Sequence, residues 1–244
     1  MLRELLSNYS NRTFRMQISA GRLKPTPSYH VPDKVLWQLE RDVLAQLRVH
    51  TQEQGLTIAD NLWDAPSFEE KSLAIAILGE AANDPVEPLV ARFQKWYSTT
   101  ADHQLTKKLV GIGSRSIRAG NRAEWKAIQQ RWVSSRRTAD LVSAIWAAAD
   151  ALDLEGERCL PEILDLLGNI LKTDDLAILP ELLQLFQLMI KRSRLEATFF
   201  LRRLAEDEDR RNLLAERFIS RSISLFPPEM QLELRRDITI QRKI

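Results

Sequence analysis

Gln94-Lys95-Trp96-Tyr97-Ser98 and Gln130-Arg131-Trp132-Val133-Ser134 are near copies of each other, offset by 36 residues. Each is followed by the same tripeptide, Thr100-Ala101-Asp102 in the first copy and Thr138-Ala139-Asp140 in the second. A period in the high thirties is the length of a helix pair. Both copies read as a helix with a tryptophan near its end, a short turn, and an aspartate that caps the helix after it. An echo of this kind predicts stacked antiparallel helix pairs, because a single pair cannot bury its apolar face alone.

Outward from the echo, helix signals follow one another. Asp33 is placed to cap a helix carrying Val35, Leu36, Leu39, Val43, Leu44 and Leu47, spaced three and four apart, with Gly55 as its stop. A short helix over 56–63 ends before Pro66, and Ser67 with Glu70 three residues on reads as a capping box for the helix through Leu73 and Ile77. Further helical segments are expected near 85–97, 102–113, 122–133, 138–152, 160–172, 174–192, 194–206, 209–224 and 228–236. None shows the two-residue alternation of a strand. The connections are only a few residues long, which makes consecutive helices neighbours in space. The fold class expected is all-α, and the series resembles HEAT-type repeats, an α-solenoid of antiparallel helix pairs.

Residues 1–32 read differently from 33–244. After a first turn or two of helix, Tyr9 to Pro32 is polar and broken by Gly21, Pro25, Pro27 and Pro32. This is an N-terminal arm, either an unstructured tail or a segment that orders on a partner through Phe14, Met16, Ile18 and Tyr29 and the bases Arg12, Arg15, Arg22 and Lys24. The helical repeat domain follows it.

The chain of 244 residues is 44% apolar and 28% charged, which excludes disorder. No run approaches the roughly 18 apolar residues of a membrane helix, and the charged N-terminus is unlike a signal peptide, so a cytoplasmic protein is expected. The single cysteine, Cys159, excludes an internal disulfide framework. His50 and His103 lack ligands at metal spacing, Gly111-Ile112-Gly113 lacks the rest of a dinucleotide loop, and the acids near Cys159 make it a poor nucleophile. No metal and no cofactor are expected.

The net charge of +2 hides a segregation. Residues 102–140 hold nine bases (Lys107, Lys108, Arg115, Arg118, Arg122, Lys126, Arg131, Arg136, Arg137) against three acids. Residues 141–190 reverse this with nine acids against two bases, and the tail from 191, which includes Arg202 and Arg203, is basic again. A charge run is either a solvated face or, where bases recur at each repeat of a solenoid, a stripe that tracks a phosphate backbone. The acidic block encloses LAILPELLQLFQLMI, read as a buried central helix that Pro180 kinks or restarts.

Leu62-Trp63-Asp64-Ala65-Pro66, followed by Glu69-Glu70 and Ser72 to Leu78, resembles the DNA alkylation repair glycosylases of the AlkD type. That family is built from HEAT-like helix pairs. The resemblance implies that Lys95-Trp96-Tyr97 through Asp102 occupies the place of the family's Trp-rich turn and catalytic aspartate, and that Ala197 to Arg202 corresponds to its helix with a second cleft aromatic. Here Tyr97 stands for a second tryptophan, Phe199 or Phe200 for the cleft tryptophan, and Arg136 and Arg137 precede the helix on which the enzymes carry a phosphate-contacting arginine. Excision of a cationic base needs a carboxylate for the developing oxocarbenium charge and aromatic faces for the lesion. Trp96, Tyr97 and Asp102 are the right types; equally, a repeated tryptophan fills a repeated core and a repeated aspartate caps a helix. The function expected is a non-catalytic adaptor that binds duplex DNA or a protein partner, the latter through the arm or the acidic block. An alkylpurine DNA glycosylase and a purely protein-binding scaffold are the alternatives.

Overall fold

The computed structural model of the chain describes residues 2–10, 26–207 and 212–241. Phe14, Met16, Ile18, Arg12, Arg15, Arg22 and Lys24 of the arm lie outside them. Among the described residues the structure is all-helical, with no strand, and divides into two compact units, Met1–Lys126 and Ala127–Ile244.

The first unit holds α1 (Leu2–Asn8), α2 (Asp33–Leu47), α3 (Gln52–Trp63), α4 (Phe68–Glu80), α5 (Glu87–Thr99), α6 (His103–Lys108) and α7 (Arg115–Gly120). Its centre is α4, in which every residue from Glu69 to Gly79 except Lys71 is buried, and which packs against α2, α3, α6 and α7. A helix buried on all sides is a core helix, and α4 is apolar throughout from Leu73 to Gly79. Its far end approaches the single π-helical turn Leu109–Gly113 so closely that a Cβ on Gly79 would sit 2.2 Å from the Ile112 carbonyl oxygen. Only glycine permits that contact.

Several local expectations are corrected. The N-cap of α2 is Pro32, with Asp33 in the first turn, and α2 ends at Leu47. Gly55 is not its stop but a buried residue inside α3, which begins at Gln52 because Thr51 and Gln54 form a complete capping box. Ser67 does cap α4 as expected, accepting from the Glu70 N–H at 3.2 Å, and its hydroxyl also donates to the Glu70 carboxylate at 2.8 Å. The helix expected over 102–113 widens at its end: α6 gives way to the π turn, and α7 stops at Gly120 before Asn121, which adopts a non-helical φ of −148°. Arg115 and Arg118 therefore share one short helix and Arg122 opens the next. Of the described arm residues, Leu6 and Val31 are buried in one cluster with Leu36, against Tyr29, Val35, Leu39 and Phe68.

The unit boundary falls inside α8 (Arg122–Ser135). The second unit continues with α9 (Thr138–Glu155), α10 (Leu160–Ile170), α11 (Leu179–Arg192), α12 (Arg194–Glu206), α13 (Leu213–Ile223) and α14 (Pro228–Gln241). The apolar run is its core helix: α11 buries Leu179, Leu182, Leu185, Phe186 and Met189 at helical spacing and packs against α9, α12 and α13. Phe186 meets Phe218 edge-on at 5.2 Å between centroids. Each such side chain contributes about 1.5–3 kcal/mol of transfer free energy. Pro180 lies in the first turn of α11, after the 3-10 turn Leu176–Ile178, and so restarts the helix, at a position where proline costs no hydrogen bond. Asn212 caps α13 and donates to the carbonyls of Leu171 and Thr173 at 2.7 and 3.0 Å, tying the end of α10 to the start of α13.

Candidate functional site

The first tryptophan-to-aspartate segment lies in the first unit. Near the end of α5, Trp96 is fully buried and its ring stacks on Trp63 at 4.6 Å with an interplanar angle of 7°. Trp63 is the last residue of α3, so the Leu-Trp-Asp-x-Pro segment and the Trp-Tyr segment, read separately in the sequence, form one stacked pair. The Trp96 indole Nε1 has no hydrogen-bond partner among the described residues. Lys71 on α4 lies over the Trp63 ring at 4.9 Å and donates to the Trp63 carbonyl. Burial pushes its amine below the ordinary lysine value of 10.5, an effect partly opposed by the charges of Asp64 and Glu70. Tyr97 is half-buried and stacks on Phe93 at 6.3 Å, and Phe93 meets Trp125 edge-on at 5.5 Å.

Asp102 is the N-cap of α6. One carboxylate oxygen accepts from the Gln104 and Leu105 N–H groups at 2.9 and 3.2 Å, and the other accepts from the Thr26 N–H at 3.3 Å. A second carboxylate, Glu69, is buried and is likewise taken up by the chain before α2. It accepts from the Ser28 hydroxyl at 2.7 Å and from the Tyr29 and Val31 N–H groups at 3.1 and 3.3 Å. The sequence names Glu69 without giving it a task; its signal is an acid in the first turn of a helix whose run from Leu73 to Leu78 is wholly apolar.

The second tryptophan-to-aspartate segment lies in the second unit and is built differently. Trp132 is buried, but Asp140 does not cap α9, contrary to the repeat reading. The N-cap is Arg137, and Asp140 sits three residues inside the helix, buried. Its carboxylate accepts from the Ser135 hydroxyl at 2.6 Å and from Arg137 Nε and Nη2 at 2.9 and 3.1 Å. The Ser135 hydroxyl in turn accepts from the Arg137 N–H at 3.2 Å, and the Thr138 hydroxyl donates to Asp175 at 2.6 Å. The turn between α8 and α9 is thus fixed by side chains at both of its ends. Within it, Arg136 takes a φ of +54°, a left-handed conformation rare for a residue with a side chain.

The bases of the charged stretch divide by what they touch. Lys108 is turned inward, between Glu40 and the Ser72 hydroxyl. Arg118 donates to the Gly111 carbonyl at 3.0 Å and lies over the Trp125 ring at 5.9 Å. Arg115 reaches Glu80 at 3.9 Å. Arg202 pairs with Glu233 and Asp237 of α14 at 3.0 and 2.6 Å. Lys107, Arg122, Lys126, Arg131, Arg136, Arg137 and Arg203 are exposed. Of the two downstream aromatics, Phe199 is exposed and Phe200 buried.

A family model described as DNA alkylation repair enzyme matches residues 3–173. The chain belongs to that family. The match contains both tryptophan-to-aspartate segments and ends shortly before α11. Comparisons with curated proteins and with solved structures find no match. Among the described residues no helix is long and apolar enough to cross a membrane, and no group of three or more His, Cys, Asp or Glu side chains gathers as a metal site.

Proposed function

We propose that this family member binds duplex DNA through its phosphate backbone and acts as a non-catalytic adaptor. The observation that carries the reading is the contrast between the two segments. The aromatic that would face a lesion, Trp96, has no exposed surface, and both oxygens of the Asp102 carboxylate accept N–H groups of the chain. Meanwhile the turn before α9 presents Arg136 and Arg137 to solvent. Charge on a firmly held turn supports phosphate binding, whereas a buried tryptophan gives a flipped or stacked base nothing to lie on.

A second reading, excision of a cationic alkylated purine, is favoured by the family description and by Asp102 being only half-buried. Two measurements separate them. Filter retention or anisotropy of an unmodified duplex across a salt series tests binding. The expected result is affinity that falls steeply with salt, with Arg136→Ala and Arg137→Ala each lowering the slope by about one unit for the phosphate left unneutralised. No retention at low salt overturns the DNA reading. Release of a positively charged alkylpurine from the same duplex tests catalysis. The expected result is none; release by the wild type that disappears in Asp102→Asn, with melting temperature unchanged, overturns the non-catalytic reading.

A further inference from the structure

Arg137 is an exposed cation with a buried anchor. Its side chain is 74% exposed while that of Asp140 is only 4% exposed, and the two are joined by a pair of charge-assisted hydrogen bonds at 2.9 and 3.1 Å. The guanidinium engages Asp140 through its Nε and Nη2 side. A guanidinium held on that side keeps the fork geometry of its end-on edge, Nη1 with Nη2, whose spacing matches two oxygens of a phosphate. The anchor is itself held, since the Ser135 hydroxyl donates to Asp140 at 2.6 Å and accepts from the Arg137 N–H at 3.2 Å. An ordinary surface arginine samples many rotamers and loses that freedom on binding. Arg137 has lost it already.

We infer that Asp140 is a positioning residue for phosphate binding: it touches no ligand and orients the guanidinium of Arg137 toward the DNA backbone. The inference rests on the DNA-binding reading and adds a sign to it. By charge alone, removing a carboxylate beside a phosphate-binding arginine strengthens binding of a polyanion. If Asp140 positions Arg137, removing its charge weakens binding, because the arginine must be ordered anew when the DNA arrives.

The test is anisotropy of an unmodified duplex with the full-length chain, over a salt series, with thermal melts of each variant. Asp140→Asn is expected to bind roughly twofold to tenfold more weakly than the wild type, the range set by ordering one long side chain. In an Arg137→Ala background the same substitution has no arginine to release and no longer weakens binding. Because a substitution at buried Asp140 can unfold the start of α9, Arg137→Lys is the companion. It lies at an exposed position, keeps the charge and removes the two-toothed pair, so weaker binding with an unchanged salt slope is expected. Asp140→Asn binding as tightly as the wild type or tighter, or Arg137→Lys binding like the wild type, overturns the positioning role while leaving DNA binding intact. A wild type that does not bind duplex at low salt overturns both.

Discussion

The two tryptophan-to-aspartate segments share their letters and differ by two residues. From Trp96 to Asp102 is six positions, from Trp132 to Asp140 eight, and the difference is accounted for by Arg136 and Arg137 between the shared serine and the shared threonine. In the first copy Thr100 ends α5 and Asp102 caps α6. In the second the two added residues provide the turn, Arg137 becomes the N-cap, Thr138 opens α9, and the aspartate is carried one turn inside the helix. Once there it is buried and needs a cation, which the insertion has supplied. A repeated string fixes which residues face the core; turn length decides whether a polar residue at its end serves a backbone or another side chain.

The tryptophans are where the copies are expected to behave alike, and where the largest effects lie. Trp96→Ala should cost about 3–5 kcal/mol, because it empties a site with no exposed surface and unstacks Trp63. Trp132→Ala, nearly as buried, should cost a similar amount. Trp96→Phe should recover most of the loss, since the Nε1 given up has no partner among the described residues. Chemical denaturation of the three variants checks this. A Trp96→Ala protein as stable as the wild type would mean that the ring is a surface feature in solution, and the glycosylase reading would regain its aromatic face.

The aspartates should separate. Asp102→Ala removes a helix cap and is expected to cost about 1 kcal/mol, and Asp102→Asn less, because asparagine caps as well as aspartate and gives up only the long bond from the Thr26 N–H. Asp140→Ala leaves Arg137 and the Ser135 hydroxyl without their acceptor and is expected to cost more, about 1–3 kcal/mol, with asparagine a poor substitute since it cannot accept from both guanidinium nitrogens on both oxygens. Equal tolerance of asparagine at the two positions would show that the difference in depth carries no energy.

What is legible in the sequence follows the same division. The all-helical class, the core role of α11 and the helix Arg194–Glu206, whose bounds agree with those expected, all follow from apolar spacing, which is a local property. The cap at Asp102 is legible for the same reason. The echo misleads at Asp140 because its letters match while the two residues that lengthen the turn move the aspartate into the helix. The division at Lys126, the stacking of Trp63 on Trp96 and the use of Glu69 by the chain at 28–31 depend on contacts between distant positions. No period in a single sequence carries those. The charge run is visible as a run, but composition is blind to partners: it cannot separate Lys108, turned in on Glu40, from Lys126, turned out.

The turn that distinguishes the second copy predicts a trade between stability and binding at Arg136. Its φ of +54° is strained for any residue with a Cβ, and glycine relieves that strain at some cost in unfolded-chain entropy. Arg136→Gly should therefore leave the protein as stable as the wild type or more stable by roughly 1 kcal/mol or less, while lowering the salt slope of duplex binding by about one unit. Thr100 ends the corresponding helix with a φ of −83°, so Thr100→Gly has no strain to relieve and should only destabilise. Parallel melts of the two glycine variants test whether the insertion is held against its own backbone preference.

The smallest effect expected is a dependence on pH in the first copy. Lys71 lies over the ring on which Trp96 stacks, and burial lowers its amine below 10.5. Below its folded value the amine is protonated in both states and contributes no slope. Between the folded value and 10.5 the unfolded chain holds more proton than the folded one, so stability rises with pH across that window and levels off above it. Lys71→Met keeps the length of the side chain over Trp63 and has no amine to titrate. The difference in denaturation midpoint between wild type and Lys71→Met should therefore shift in favour of the wild type as pH is raised toward 10.5. A difference that stays constant, or that moves toward the variant, would mean that the attraction of Asp64 and Glu70 outweighs burial at this lysine and holds it charged over the tryptophan pair.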